Sequence, residues 1–178
     1  MVQNSREQRK QNVIQVLNKA RSMELQAIHQ YMNQHYNLDD MDYGDLAVKV
    51  KLIAIDEMRH AEMLAERIKE LGGEPTAELA DKIEKGQDVE AIFLFNAGLE
   101  DDTIDIYNQF LQLCRENGDS TSMKLFESLV DEEQIHFNYF QNVDEHIKKL
   151  GPSYLAQIAG TPADSGPPSK GFVTGQAQ

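Results

Sequence analysis

Apolar residues recur every three or four positions along four long stretches of this sequence, which is the spacing of one face of an α-helix. The stretches run from about Ser5 to His35, from just after Asp42 to Leu71, from about Asp88 to Asn117, and from Asp119 to Gly151. The pattern predicts an all-α protein, with helix over more than about 70% of the first 160 residues, well above the usual one-third.

Turn signals separate these stretches. Gly72-Gly73, followed by Pro75, is typical of a helix end, as are Asn117-Gly118 and Gly151-Pro152. Asp88 and Asp119 are suited to the N-cap position of the third and fourth helices, since their short carboxylates accept hydrogen bonds from the first free backbone N–H groups. We therefore expect four well-defined helices.

The connection lengths predict how the helices are arranged. Short links join the first pair and the last pair, so each pair should form an antiparallel hairpin. The 16 residues Gly72–Gln87 could span about 50 Å, whereas a 28-residue helix is about 40 Å long. This link is long enough to cross the length of a bundle and make the second and third helices parallel. Residues 153–159 are enough for a short fifth helix.

Residues 1–160 are expected to form one domain, since a chain of 178 residues can bury a sizeable core. From Gly160 onward the sequence is rich in Gly, Pro, Ser and Thr. This composition predicts a flexible C-terminal tail over residues 161–178.

One glutamate in each of the four stretches falls where the helical spacing demands an apolar residue: these are Glu24, Glu57, Glu100 and Glu133. A buried carboxylate without a partner costs several kcal/mol, and four of them would exceed the roughly 5–15 kcal/mol stability of a typical domain. The acidic inner positions therefore predict bound cations.

The same three residues occur twice, 76 positions apart. Each copy has a lone Glu followed 33 positions later by Glu-x-x-His, which gives Glu24, Glu57 and His60 in the first copy and Glu100, Glu133 and His136 in the second. Residues three apart share a helix face, so each Glu-x-x-His can hold one metal ion. Four carboxylates and two imidazoles predict a di-iron or di-manganese centre within the bundle.

Composition narrows the possible partners and location. The net charge of −13 argues against nucleic-acid binding, which needs clustered Lys and Arg. No run of 18 apolar residues and no signal-peptide segment is present, so neither a membrane span nor export is expected. The single cysteine, Cys114, fits a reducing cytoplasm and is expected to pack on an inner helix face.

The motifs resemble those of bacterioferritin along essentially the whole chain to about Ala159. The segments that carry the resemblance are ELQAIHQY from Glu24, IDEMRHAE from Ile55, GQDV from Gly86 and DEEQIH from Asp131. The resemblance implies a ferritin-like four-helix bundle with a long crossover between helices 2 and 3. It also implies a homo-oligomeric hollow shell of 24 subunits, built from two-fold dimers that share a haem.

The resemblance further implies the function of iron storage and detoxification. A ferroxidase centre in each subunit would oxidise Fe(II) with O2 or peroxide, and ferric mineral would be deposited in the cavity. Matched by position, Glu57 and Glu133 would bridge the two irons while Glu24 and Glu100 would be terminal. Mixed carboxylate and imidazole ligation suits iron that changes between the ferrous and ferric states.

Met58 lies between two of the expected ligands and points about 100° away from Glu57 around the helix. A Met there is often an interface residue, but the resemblance implies an axial ligand of a haem or related iron porphyrin. One Met from each of two symmetry-related subunits would hold it, which gives half a haem per chain. Leu25 and Ile28 are expected to form walls of that pocket.

Residues next to the ligands are candidates for a supporting role. Because metal-bound imidazoles usually donate their second N–H to an acceptor, we expect Asp56 to accept from His136 and Glu132 to accept from His60. Tyr31, two turns from Glu24, and Tyr107, at the equivalent place in the second copy, could hydrogen-bond a ligand or be ordinary core tyrosines.

Several alternatives stay open. A peroxidase or oxidase like rubrerythrin usually adds a Cys-x-x-Cys module that one cysteine cannot build, and a DNA-protecting miniferritin would not need the doubled Glu-x-x-His. A haem electron-transfer protein is a further possibility, whereas a metal-free bundle would require six inner ionisable residues to be accidental. His29 and His35 do not match the ligand spacing and are expected at the surface or at an interface.

Overall fold

Five α-helices follow one another along the chain in the computed structural model, which describes residues 2–163 and 171–173. They are α1 (Val2–Asp40), α2 (Gly44–Glu70), α3 (Val89–Glu116), α4 (Ser120–Leu150) and α5 (Pro152–Ile158). Within the described ranges there is no strand, only an isolated bridge between Tyr43 and Thr161. The predicted all-α bundle with a short fifth helix is confirmed.

Helix α1 extends five residues beyond the predicted end at His35, because Leu38 is fully buried and continues the apolar face. The turn into α2 then needs a left-handed backbone, which Asp42 supplies at φ 62°. At the start of α4 the Asp119 carboxylate accepts from the N–H groups of Thr121 and Ser122, as predicted for an N-cap. Asp88 occupies the corresponding position before α3, but its side chain makes no capping hydrogen bond.

The long crossover between α2 and α3 follows α1 along the bundle. Near its start, the Thr76 N–H donates to Asn18 Oδ1 at 2.7 Å and Arg21 Nε donates to Thr76 O at 2.9 Å. Near its end, the Glu84 N–H donates to Gln30 Oε1 at 2.7 Å. Asn18 and Gln30 are twelve residues apart, so these attachments lie about 18 Å apart along the helix.

The apolar core is divided into two clusters by a layer of buried polar residues. One cluster contains Tyr31, Phe93 and Phe140, and the other contains Leu17, Leu64 and Phe126. Each buried side chain of this size contributes roughly 1.5–3 kcal/mol through removal of apolar surface from water. The polar layer between the clusters is where all four long helices contribute the predicted ligands.

The chain after α5 returns to the start of α2. The Gly44 N–H donates to Thr161 O at 3.1 Å and the Gly160 N–H donates to Asp42 O at 2.8 Å. A Cβ at position 44 would collide with the Thr161 carbonyl, so a glycine is required there.

The predicted tail falls partly outside the described residues, at 164–170 and 174–178. Residues 161–163 and 171–173 are described, and Phe172 belongs to the first apolar cluster. No helix in the described ranges has the length and apolar character needed to cross a lipid bilayer.

Candidate metal centre

The six predicted ligands converge in the polar layer, and each is at most 2% exposed. Their donor atoms form two overlapping groups, within each of which all atoms lie within 4.8 Å of one another. One group is Glu24, Glu57, His60 and Glu133, and the other is Glu57, Glu100, Glu133 and His136. Glu57 and Glu133 belong to both groups, which is the arrangement that two adjacent metal ions with bridging carboxylates require.

Each imidazole turns its Nδ1 toward the shared carboxylates. His60 Nδ1 lies 2.9 Å from Glu57 Oε2 and 3.0 Å from Glu133 Oε1. His136 Nδ1 lies 3.1 Å from Glu133 Oε2 and 3.2 Å from Glu57 Oε1. Both Glu57 oxygens, Glu133 Oε1 and His60 Nδ1 are nevertheless buried without a hydrogen bond of good geometry. Since orphaned buried polar atoms are costly, this donor set fits bound cations.

The outer nitrogen of each imidazole faces an acid on the neighbouring helix, in the crosswise pairing expected from the sequence. His60 Nε2 lies 3.2 Å from Glu132 Oε2, a hydrogen-bond distance. His136 Nε2 lies 3.5 Å from Asp56 Oδ2, which is an ion-pair contact rather than a hydrogen bond. Arg59 contacts both acids through its guanidinium group.

The two candidate tyrosines bind carboxylates of the opposite copy. The Tyr31 hydroxyl on α1 donates to Glu100 on α3, and the Tyr107 hydroxyl on α3 donates to Glu24 on α1. Both tyrosines are fully buried. Sequence spacing placed Tyr31 on the same face as Glu24 but could not reveal that its hydroxyl crosses to the partner helix.

Protonation differs between the shared and the terminal carboxyls when no metal is bound. Burial raises the pKa of Glu24 and Glu100, and repulsion from Glu133 and Glu57 raises it further. For Glu57, the cost of burial is outweighed by the facing imidazoles, chiefly that of His136, which lower its pKa to about 2. The pKa of Glu133 is also lowered, because His60 and His136 outweigh burial and the repulsion from Glu57.

Both histidines hold their protons more tightly than usual. Burial alone would lower the pKa of His60, but the carboxylates of Glu133, Glu132 and Glu57 together outweigh it and raise that pKa well above the ordinary value. Burial would likewise lower the pKa of His136, but Glu57, Asp56 and Glu133 together raise it well above the ordinary value. The raised pKa values extend to higher pH the range in which protons, rather than metal ions, balance part of the negative charge of this layer.

A cavity of about 690 Å³ leads to the centre from the α1/α3 side. Glu24, Glu57 and Glu100 reach its inner end, and Leu79 and Asp81 of the crossover contribute to its outer wall. Three of the six candidate ligands thus line the cavity, where an incoming cation would meet negative charge.

Met58 lies on the opposite surface of α2 and is 46% exposed. It lines a shallow groove between α1 and α2 together with Leu25, Ile28 and Ala61. An accessible thioether between apolar walls could hold the iron of a bound porphyrin.

Three smaller predictions have different outcomes. Cys114 is fully buried in the second apolar cluster, as expected, and burial raises the pKa of its thiol to about 12. His29 is exposed, as expected. The prediction for His35 is wrong, because that side chain is buried and its Nδ1 lies 2.9 Å from Ala47 O within the same subunit.

Two features near the centre were not anticipated from the sequence. Gln34 and Asn96 exchange two hydrogen bonds of 2.8 Å beneath the crossover. In the sequence, this pair was indicated only by the position of Gln34 on the inner face of α1. Phe172 contacts the ring of His136, but an aromatic residue in a Gly- and Pro-rich segment has no periodic neighbours to reveal it.

Comparisons with known proteins agree with this geometry. The family model described as a ferritin-like domain matches residues 14–150. The bacterioferritin of Desulfovibrio desulfuricans is 62% identical over 170 residues, covering 96% of this chain and 95% of that protein. The bacterioferritin of Mycobacterium avium is 33% identical, over 84% of this chain and 95% of that protein. The chain therefore belongs to the ferritin-like family and, within it, to the bacterioferritins.

Solved structures extend the comparison. An X-ray structure of the D. desulfuricans bacterioferritin, from a study of its diiron site in different catalytic states, has a TM-score of 0.90 and covers 94% of this chain and 98% of that one. A Rhodobacter capsulatus bacterioferritin, described with a metal-free dinuclear site and a haem iron, is 30% identical with a TM-score of 0.80, over 86% of this chain and 96% of that one.

Proposed function

We propose that this protein stores and detoxifies iron by oxidising Fe(II) at the buried centre. The proposed ligands are Glu24, Glu57 and His60 for one iron and Glu100, Glu133 and His136 for the other, with Glu57 and Glu133 shared. The observation that carries this proposal is the overlap of the two donor groups at these two glutamates. Two adjacent Fe(II) ions can each give one electron to the same O2 molecule. A single isolated Fe(II) ion reduces O2 poorly, because it supplies only one electron.

The residues of the chain have separate tasks in this reaction. Glu24, Glu57 and Glu100, which line the 690 Å³ cavity, would meet an entering Fe(II) first. Tyr107 and Tyr31 hold the two terminal carboxyls by donating hydrogen bonds. As Fe(II) binds, protons leave the terminal carboxyls and the two imidazoles, because each ligand must be deprotonated.

We also propose that Met58 binds a haem, or related iron porphyrin, shared with a second subunit. The exposed thioether and the apolar walls formed by Leu25 and Ile28 support this assignment. When bound, such a group would supply a site for one-electron transfer. Half a haem per chain would follow from the two-fold relation of the two methionines.

The proposed assembly is a homo-oligomer of 24 subunits built from these two-fold dimers, with ferric mineral in its cavity. The net charge of −13 would make acidic openings attractive to cations. The mass of the native particle, with its iron and porphyrin content, tests this directly. Particles of about 24 subunits holding far more than two irons per chain are expected for storage.

The ligand assignment is tested by substitution. His136→Ala should slow the fast phase of Fe(II) oxidation by about 100-fold or more, since even outer partners of metal ligands typically contribute 10- to 100-fold. Glu66→Ala, an exposed glutamate on α2, is the matched control and should oxidise iron at the wild-type rate. Wild-type rates in His136→Ala would refute the assignment. Met58→Leu should keep oxidation but lose porphyrin.

A further inference from the structure

The short segment Gly171–Val173 lies against α2 and α4, next to the metal centre. Phe172 is only 7% exposed, with its ring 5.0 Å from that of Tyr139 and 6.5 Å, edge-on, from that of His136. The ammonium group of Lys49 lies 5.5 Å above the same ring. The segment therefore covers the side of the centre that is opposite the 690 Å³ cavity.

The segment also holds Asp56, the acid behind His136. The Val173 N–H donates to Asp56 Oδ2 at 2.8 Å, and the same oxygen lies 3.5 Å from His136 Nε2. The backbone at Gly171 approaches this carboxylate so closely that a Cβ would collide with it. Asp56 is consequently fully buried, although its position on α2 faces outward from the shared ligands.

The length of the chain is sufficient for this placement. Thr161 is fixed beside Gly44, and Asp56 lies twelve residues farther along α2, about 18 Å away. Eight residue steps separate Ala163 from Gly171 and can span about 26 Å.

We propose that Gly171–Val173 is a clasp that seals the His136 half of the metal centre and holds its imidazole in the ligating position through Asp56. Phe172 excludes water from the His136 ring. The Val173 N–H holds the Asp56 carboxylate, which faces His136 Nε2, by a hydrogen bond. This inference rests on the proposed ligand set. It adds a positioning role for a part of the chain that supplies no ligand.

Among the described residues, no aromatic side chain comparable to Phe172 packs on the ring of His60, so this half provides a control within the molecule. Its outer acid, Glu132, is 22% exposed at the side chain and is bound only by His60 and Arg59 among the contacts of the described residues. Loss of the clasp should change the His136 half and leave the His60 half unaffected.

The first test uses the metal-free assembled protein and labels its histidines with diethyl pyrocarbonate, with peptide mass spectrometry to read each site. Both rings are fully buried, so labelling reports local opening. Phe172→Ala should raise the ratio of His136 to His60 labelling about tenfold, equal to about 1.4 kcal/mol in the opening equilibrium. Val173→Ala, which keeps the N–H, should stay near the wild-type ratio.

Two further variants separate the clasp from a general loss of structure. Val173→Pro removes the N–H that Asp56 accepts, and a chain ending at Ala163 removes the segment entirely; both should raise the ratio as Phe172→Ala does. Native particle mass and far-UV circular dichroism check that the variants assemble. An unchanged ratio in Phe172→Ala and in the shortened chain would overturn the clasp, as would equal acceleration at both histidines.

The second test measures retention of metal with Co(II) as the probe. Wild-type protein is expected to bind two Co(II) per chain, and Phe172→Ala should lose one of the two to EDTA about tenfold faster while keeping the same stoichiometry. Identical loss rates would overturn the positioning role. If wild-type protein bound no Co(II), the ligand set itself would fail, and the histidine-labelling ratio would still decide whether the clasp exists.

Discussion

The two halves of the candidate metal centre contain the same proposed ligands but have different surroundings. In the His60 half, the imidazole lies at a hydrogen-bond distance of 3.2 Å from Glu132, which is partly open to solvent. The His136 half is supported by the fully buried Asp56 at 3.5 Å and covered by Phe172. The internal repeat thus gives the two halves the same proposed ligands, whereas the packing of Phe172 and the different outer acids make their surroundings unequal.

The largest expected effect is on the carboxylates that both halves share. Glu57→Gln should abolish tight binding at both positions, because the neutral amide cannot bridge two cations. Glu100→Gln should weaken only the half that contains His136. Titration with Co(II), followed by its visible absorption, should give close to zero tightly bound ions for Glu57→Gln and one for Glu100→Gln. Equal stoichiometry in the two variants would contradict the shared role of Glu57.

Lowering the pH should weaken metal binding in both halves of the centre. Burial and the neighbouring carboxylates raise the pKa of Glu24 and Glu100, and Glu133 and Glu57 raise the pKa of the two imidazoles. Each raised pKa extends to higher pH the range in which that group binds a proton in the metal-free state. A metal ion must displace such a proton, so affinity falls as the pH falls.

The size of this effect follows from the number of protons. With about two protons displaced per ion, the dissociation constant should rise about 100-fold for each unit that the pH is lowered below the raised pKa values. Calorimetry of Mn(II) binding in buffers of different ionisation enthalpy measures the proton release. Binding without net proton release would contradict the assigned protonation states.

Replacing the acid behind each histidine should weaken metal binding in one half only. The loss should be smaller than that caused by replacing a shared carboxylate. Asp56→Ala and Glu132→Ala should each reduce metal affinity by about 10- to 100-fold at their own half. We expect the larger loss for Asp56→Ala, since this buried carboxylate also holds Arg59 and the Val173 N–H. Co(II) retention against EDTA gives both values, and Glu62→Ala, an exposed acid on α2, is the control.

The smallest effect is expected for the tyrosines. Tyr31→Phe and Tyr107→Phe each remove one hydroxyl that binds a terminal carboxyl, at a typical contribution of about 0.5–1.5 kcal/mol per hydrogen bond. Each variant should slow Fe(II) oxidation by no more than about tenfold. Because the two contacts are equivalent across the repeat, the two variants should agree closely, and a large difference between them would show that the halves differ on this side as well.

The sequence was sufficient for the features that depend on periodicity. The helices, the parallel crossover and the convergence of six ligands all follow from spacing, because a helix converts sequence intervals directly into shared faces. The crosswise pairs of Asp56 with His136 and of Glu132 with His60 could be predicted for the same reason.

The remaining features depend on contacts between segments with no common period. Tyr31 bonds to Glu100 rather than to a group on its own helix, and the burial of His35 depends on a carbonyl of α2. The packing of Phe172 depends on where the chain returns after α5, which no local pattern encodes. The outcome at His35 shows that a position outside the ligand spacing is not thereby a surface position.

The polar layer that separates the two apolar clusters sets a limit on how stable this fold can be. A bundle whose six central ionisable residues were replaced by well-packed apolar side chains would join the two clusters into one, and such replacements of buried charges are often neutral or stabilising by about 1–4 kcal/mol. We therefore expect the metal-free protein to unfold at a lower temperature than such a variant. The ionisable residues in the middle of the bundle thus lower the thermal stability of the metal-free protein but provide a site at which metal can bind.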